Sequence, residues 1–231
     1  VKLGTAVNLL PLRHPLAVAK TVATLDVLSG GRAILGVAAG WLAEEFDALG
    51  LEFKNRGKML DEGIEVLREI WTQPNASFQG EFYSFKDVAA YPMPAQQPYP
   101  PIWIGGHTKP VMRRAARVGD VWLPPLFGTT PESLAAAFEG VRDMAEQAGR
   151  PRSAVNLALR VLVDLREEPD TTGPATRGAV LGPAEKVAEV LASYMEIGVS
   201  HFVLLPQART LDDVQRTVEI LAEDVIPQVR G

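Results

Sequence analysis

Residues 25–41 constrain the fold of this chain more than any other stretch. They run from the end of an apolar helix, through Ser29-Gly30-Gly31, into the strand-like run Ala33-Ile34-Leu35-Gly36-Val37-Ala38-Ala39, and out at Gly40-Trp41. The paired glycines supply the φ > 0 positions that a tight helix-to-strand turn needs. The run after them is almost entirely apolar, so it suits a strand covered on both faces and not the one-sided alternation of an antiparallel sheet. Leu42-Ala43-Glu44-Glu45-Phe46 then opens a new helix with two acids in its first turn. A helix–strand–helix sequence of this kind belongs to a parallel α/β fold, in which ligands bind at the carboxyl ends of the strands.

The rest of the chain repeats the alternation. A strand is expected over 2–7, a helix over 15–28, a helix over 42–49 stopped by Gly50, and an amphipathic helix over 56–72 with Leu60, Ile64, Leu67 and Trp71 on one face. Residues 77–88 alternate aromatic and polar around Gly80-Glu81, a hairpin signal, and the proline-rich 91–101 reads as a rigid surface connection. Strands are expected over 101–104, 121–124, 155–164 and 201–205, with helices over 109–118, 131–148, 183–197 and 211–225 and a polar surface loop over 166–182. Thr130 is the expected N-cap of the 131–148 helix. Strictly alternating βα units imply a parallel sheet with right-handed crossovers. Six such units fit an open doubly wound sheet, or an eight-stranded barrel without its first two units. Val1 lies inside the first strand, which favours the barrel and a missing N-terminal segment.

Composition narrows the chemistry. The 231 residues are 47% hydrophobic and 22% charged, with a net charge of −5 and no cysteine. That excludes disulfides, thiolate catalysis and cysteine-ligated metals, and argues against a nucleic-acid partner. The absence of an apolar run of ~18 residues argues against a membrane span. A cytoplasmic location is expected. His14, His107 and His201 have no second histidine at helical spacing, so no metal site is expected. His201 reads as structural. His14 and His107 each weigh a ligand-side role against a surface or packing one.

Gly105-Gly106-His107-Thr108 joins a buried strand to a helix and is the best local site signal. The helix start offers free backbone N–H groups, and glycines let an anion approach closely. The competing reading is a plain turn with Thr108 as a cap. Gly36-Val37-Ala38-Ala39-Gly40 lacks the third glycine of a dinucleotide fingerprint. Glu45 reads as a helix-dipole partner, whereas Glu44 stays open as a site residue. Trp41 sits where a large ring can flank a planar cofactor, and Trp71, Trp103 and Trp122 read as core.

The runs Leu3-Gly4-Thr5-Ala6-Val7 and Pro11-Leu12-Arg13-His14-Pro15, the turn Leu25-Asp26-x-x-Ser29-Gly30-Gly31-Arg32, and Gly36-Val37-x-x-Gly40-Trp41-x-x-Glu44-Glu45-Phe46 together resemble the luciferase-like monooxygenase family. The strand Pro101-Ile102-Trp103-Ile104-Gly105-Gly106 and Arg114-Ala115-Ala116-Arg117-x-Gly119-Asp120 add to the likeness, which covers essentially the whole chain in order. Within the family it is most similar to the type that uses the deazaflavin coenzyme F420. The resemblance implies an α/β (β/α)8 TIM-type barrel, here without its first two units, as a single domain over 1–231 with an insertion near 77–101, and often a homodimer. It implies a non-prolyl cis peptide at Ala6-Val7 under the middle ring of the cofactor, with Asn8 and Leu9 along it. Gly40 and Glu44 match positions beside the ring, and Gly105, Gly106, His107 and Thr108 match the loop that holds the cofactor phosphate.

The expected function is therefore hydride transfer between coenzyme F420 and an organic, hydrophobic small molecule, in a pocket rimmed by Leu9, Trp41 and Phe127. No catalytic acid or base is assigned, since the histidine that several members carry near the second strand is not in this sequence. One alternative is an FMN-dependent monooxygenase that uses O₂ and takes reduced flavin from a separate reductase. Another is a non-catalytic barrel acting as a binding subunit.

Overall fold

The computed structural model describes residues 2–126, 128–165, 179–207 and 210–230. Backbone contacts group them into two compact units. One holds residues 1–105 and 117–121; the other holds 106–116 and 122–231.

In the first unit, β1 (Leu3–Gly4) and β2 (Asn8–Leu9) both pair in parallel with β3 (Ala33–Ala38). Between them the chain enters η1, a 3-10 turn at Leu10–Leu12, and then α1 (Pro15–Ser29). After β3 come α2 (Ala43–Ala48), α3 (Arg56–Thr72), the antiparallel hairpin of β4 (Ala76–Gln79) and β5 (Ser84–Val88), and β6 (Ile102–Gly105). β6 pairs in parallel with β3 on the side opposite β1 and β2. α3 buries Leu60, Ile64, Leu67 and Trp71, the face expected from their spacing. Trp71 also donates its indole N–H to the Ala19 carbonyl at 3.0 Å, which ties α3 to α1.

The turn that opened the sequence reading is a hydrogen-bonded lock. Asp26 is fully buried near the end of α1, and its carboxylate accepts from the Ala33 N–H at 3.3 Å, the Gln96 N–H at 2.8 Å and the Gln96 side-chain amide at 2.7 Å. Gly30 and Gly31 take φ of 67° and 77°, and the Gly31 N–H reaches the Asp26 carbonyl at 2.8 Å. Helix end, strand start and the proline-rich connection thus converge on one carboxylate.

The second unit holds α4 (Lys109–Val118, its last residues in the first unit) and most of β7 (Val121–Leu123). It continues with α5 (Pro131–Gln147), β8 (Asn156–Leu165), β9 (Ala179–Gly182), α6 (Ala184–Glu196), β10 (Val199–Pro206), α7 (Leu211–Ile220) and α8 (Ile226–Arg230). Thr130 caps α5 in a reciprocal pair with Ser133, as expected. β8 pairs in parallel with β9 and with β10.

Several boundaries differ from those expected, three of them by more than a residue or two. Of the expected 2–7 strand only Leu3–Gly4 is strand, because residues 5–7 leave the ladder, and pairing resumes at Asn8–Leu9, where a loop was expected. The expected loop over 166–182 ends in β9; its residues 166–178 lie outside those described. The last helix runs on to Arg230 through a π turn at Leu221–Val225, one residue short of Pro227, which has no N–H to continue an α ladder.

Candidate functional site at the strand ends

The registers of β1 and β2 against β3 define a bulge. Gly4 pairs with Ile34 and Asn8 with Val37, so four steps along the first strand match three along β3. One residue is extra, and residues 5–7 bow out of the sheet. The Thr5 hydroxyl donates to the Gly36 carbonyl at 2.8 Å, and the Ala6–Val7 peptide is cis, as the resemblance implied.

Two glycines make room for this bulge. A Cβ on Gly36 would lie 2.1 Å from the Thr5 carbonyl oxygen, and one on Gly105 would lie 2.8 Å from Val7 Cγ1. Gly36 is thereby obligatory for backbone and Gly105 for a side chain, on neighbouring strands. The structure thus gives Gly105 a packing role. Sequence reasoning singled out Gly105 for anion approach and gave Gly36 no role beyond its motif.

The bulge delivers Asn8 to the carboxyl end of the sheet. Its side-chain oxygen is buried and has no hydrogen-bond partner among the described residues. A buried amide oxygen left unpaired is costly and uncommon in native proteins. Beside it, Gly40 has φ of 87°, and a Cβ there would press on the buried Phe46 ring at 3.0 Å, with Leu9 Cδ1 at 3.9 Å. Trp41 is 79% exposed. Glu44 and Glu45 are both exposed in the first turn of α2. The structure therefore brings Asn8, Leu9 and Gly40 together, and leaves Trp41 and Glu44 open to solvent.

His14 caps α1, where its Nδ1 accepts from the Leu16 N–H at 3.3 Å, and its ring meets the edge of Tyr83 at 5.6 Å. Tyr83 is 8% exposed, and its hydroxyl is buried without a hydrogen-bond partner among the described residues. Its backbone is held by Glu62, whose carboxylate accepts from the N–H groups of Glu81, Phe82 and Tyr83 at 2.9, 2.8 and 2.6 Å. Burial, and then the Glu62 charge, push the Tyr83 phenol above its ordinary value. A phenol whose pKa is raised on folding contributes fully below the unfolded value of about 10, and that contribution fades as pH rises through the folded value. Stability should fall above pH 10, and less steeply in Tyr83→Phe. At pH 7 the same variant should be neutral or up to about 1 kcal/mol more stable, because it removes an unpaired polar atom. Urea melts at pH 7 and pH 11 test both statements; a loss of more than 1 kcal/mol at pH 7 would show a partner for the hydroxyl.

In the second unit, the Gly106 carbonyl accepts from the Trp122 indole at 2.8 Å and the Gly106 N–H donates to the Leu123 carbonyl at 3.0 Å. Gly106 has φ of 121° and sits against Val111. Its N–H is therefore already committed within the protein. What faces solvent is His107, Thr108 and Lys109, at the positive end of the ten-residue α4. Phe127 lies outside the described residues. Among those described, no group of three or more histidines or acids is placed to hold a metal ion, and no helix is long and apolar enough to cross a membrane.

The sequence pattern of luciferase-like monooxygenases matches residues 1–172. The chain belongs to the luciferase-like monooxygenase family. One relative is the FMNH(2)-dependent dimethylsulfone monooxygenase of Pseudomonas putida, 36% identical over 156 residues, which cover 66% of this chain and 42% of that protein. Another is the F420-dependent glucose-6-phosphate dehydrogenase of Amycolatopsis mediterranei, 27% identical, with 100% of this chain and 80% of that protein covered. Among solved structures, an F420-dependent secondary alcohol dehydrogenase in complex with an F420-acetone adduct superposes with a TM-score of 0.84 at 20% identity, covering 100% of this chain and 80% of the other. That last likeness is one of fold, and the fold is the barrel type of this family. The chain spans less than half the length of the dimethylsulfone monooxygenase it matches. Both F420-dependent and FMN-dependent enzymes are thus among its relatives.

Proposed function

We propose that this chain is the cofactor-binding part of an oxidoreductase that moves a hydride between coenzyme F420 and an apolar organic molecule. The observation that supports the reading best is the buried, unpaired Asn8 amide oxygen at the end of a bulge that Gly36 and Gly105 make room for. The ring systems of F420 and FMN both carry N–H groups that such an oxygen can accept from. The residues present therefore fit a planar, hydrogen-bonding cofactor. When bound, F420 supplies the hydride chemistry. The protein's part would be to bind and orient: residues 6–7 would back the ring, Asn8 would accept from one of its N–H groups, and Leu9 and Gly40 would line it. His107 and Thr108, exposed at the positive end of α4, match the family loop that holds the cofactor's phosphate. The homodimer and the apolar substrate belong to the same reading.

F420 is preferred because a relative aligned along the whole chain is F420-dependent. The FMN reading has support of its own in the 36% identity to an FMNH(2)-dependent monooxygenase. It would add a reductase partner and a requirement for O₂. Fluorescence titration of the full-length protein with F420 and with FMN separates them, and binding of neither sinks the proposal.

Asn8→Leu is the decisive variant. It should weaken cofactor binding about tenfold, as expected for loss of a buried hydrogen bond, while thermal stability of the cofactor-free protein stays level or rises. A drop in stability with unchanged cofactor affinity would assign Asn8 to the fold.

A further inference from the structure

We draw no further inference here: the strongest candidate, the buried Tyr83 hydroxyl where the β4–β5 hairpin meets His14 and α3, has no hydrogen-bond partner among the described residues, and nothing in the structure shows what polar group meets it.

Discussion

Gly36→Ala should melt roughly 6–12 °C below wild type, from a loss of about 3 kcal/mol at a few degrees per kcal/mol for a chain of this size. The added methyl would sit 2.1 Å from the Thr5 carbonyl oxygen, a backbone atom that no rotamer change can move aside. Relief requires residues 5–7 to shift, and Val7 and Asn8 shift with them. Cofactor affinity should therefore fall together with stability. Gly140→Ala is the matched control. Gly140 lies within α5, and its Cβ would meet nothing within 4 Å. That variant should gain about 1 kcal/mol from helix propensity and keep full cofactor affinity. Differential scanning calorimetry with cofactor titration reads both. If Gly36→Ala melted within 2 °C of wild type, as a rough threshold set by the per-kcal/mol scale, the bulge would be adaptable and its role as a rigid platform would be lost.

Asp26→Ala is the second large effect, and it acts at the opposite end of β3. Removing the carboxylate strands the Ala33 and Gln96 backbone N–H groups, two donors in or near the core, and should cost about 3–5 kcal/mol. Asp26→Asn should cost less, because its oxygen still serves one side while its NH₂ group faces the other donors. Gln96→Ala should be milder still, and a double-mutant cycle between positions 26 and 96 should show strong coupling. Urea denaturation measures the series. A loss under 1 kcal/mol for Asp26→Ala would mean that the connection near Gln96 is not fastened at this point. Cofactor affinity, normalised to folded protein, should be unchanged in all three, since this lock lies at the amino end of the strand.

These two predictions divide one motif by function. Residues 26–33 hold the helix–strand junction together, whereas Gly36 makes room for the bulge and Gly40 turns the chain beside Phe46 and Leu9. The sequence pattern joins them into a single signature, and only the positions of Asp26 and Thr5 in space separate them. Asp26 looks from its neighbours like an exposed helical acid. It is buried because Gln96, seventy positions later in the chain, presents two donors to it.

Local physics made much of the rest legible. Apolar spacing at Leu60, Ile64, Leu67 and Trp71 defines α3 because a helix must bury one face, and Thr130 starts α5 because its side chain satisfies a free N–H there. The family, and with it the barrel type, was readable from the order of the glycine motifs. The alternation of strands and helices also implied a site at the strand ends.

Tertiary structure alone decided what each position does there. The bulge exists because β1 and β2 keep different registers against β3, a relation between segments thirty residues apart. Gly36 reads in sequence only as part of a motif and Gly105 as a phosphate-approaching glycine, and the space taken by Thr5 and Val7 constrains both. Trp41 and Glu44 had the right neighbours in sequence but point to solvent. Periodicity and capping are local energies and so are written along the chain. Clashes and orphaned polar atoms arise between distant segments, and only the folded arrangement reveals them.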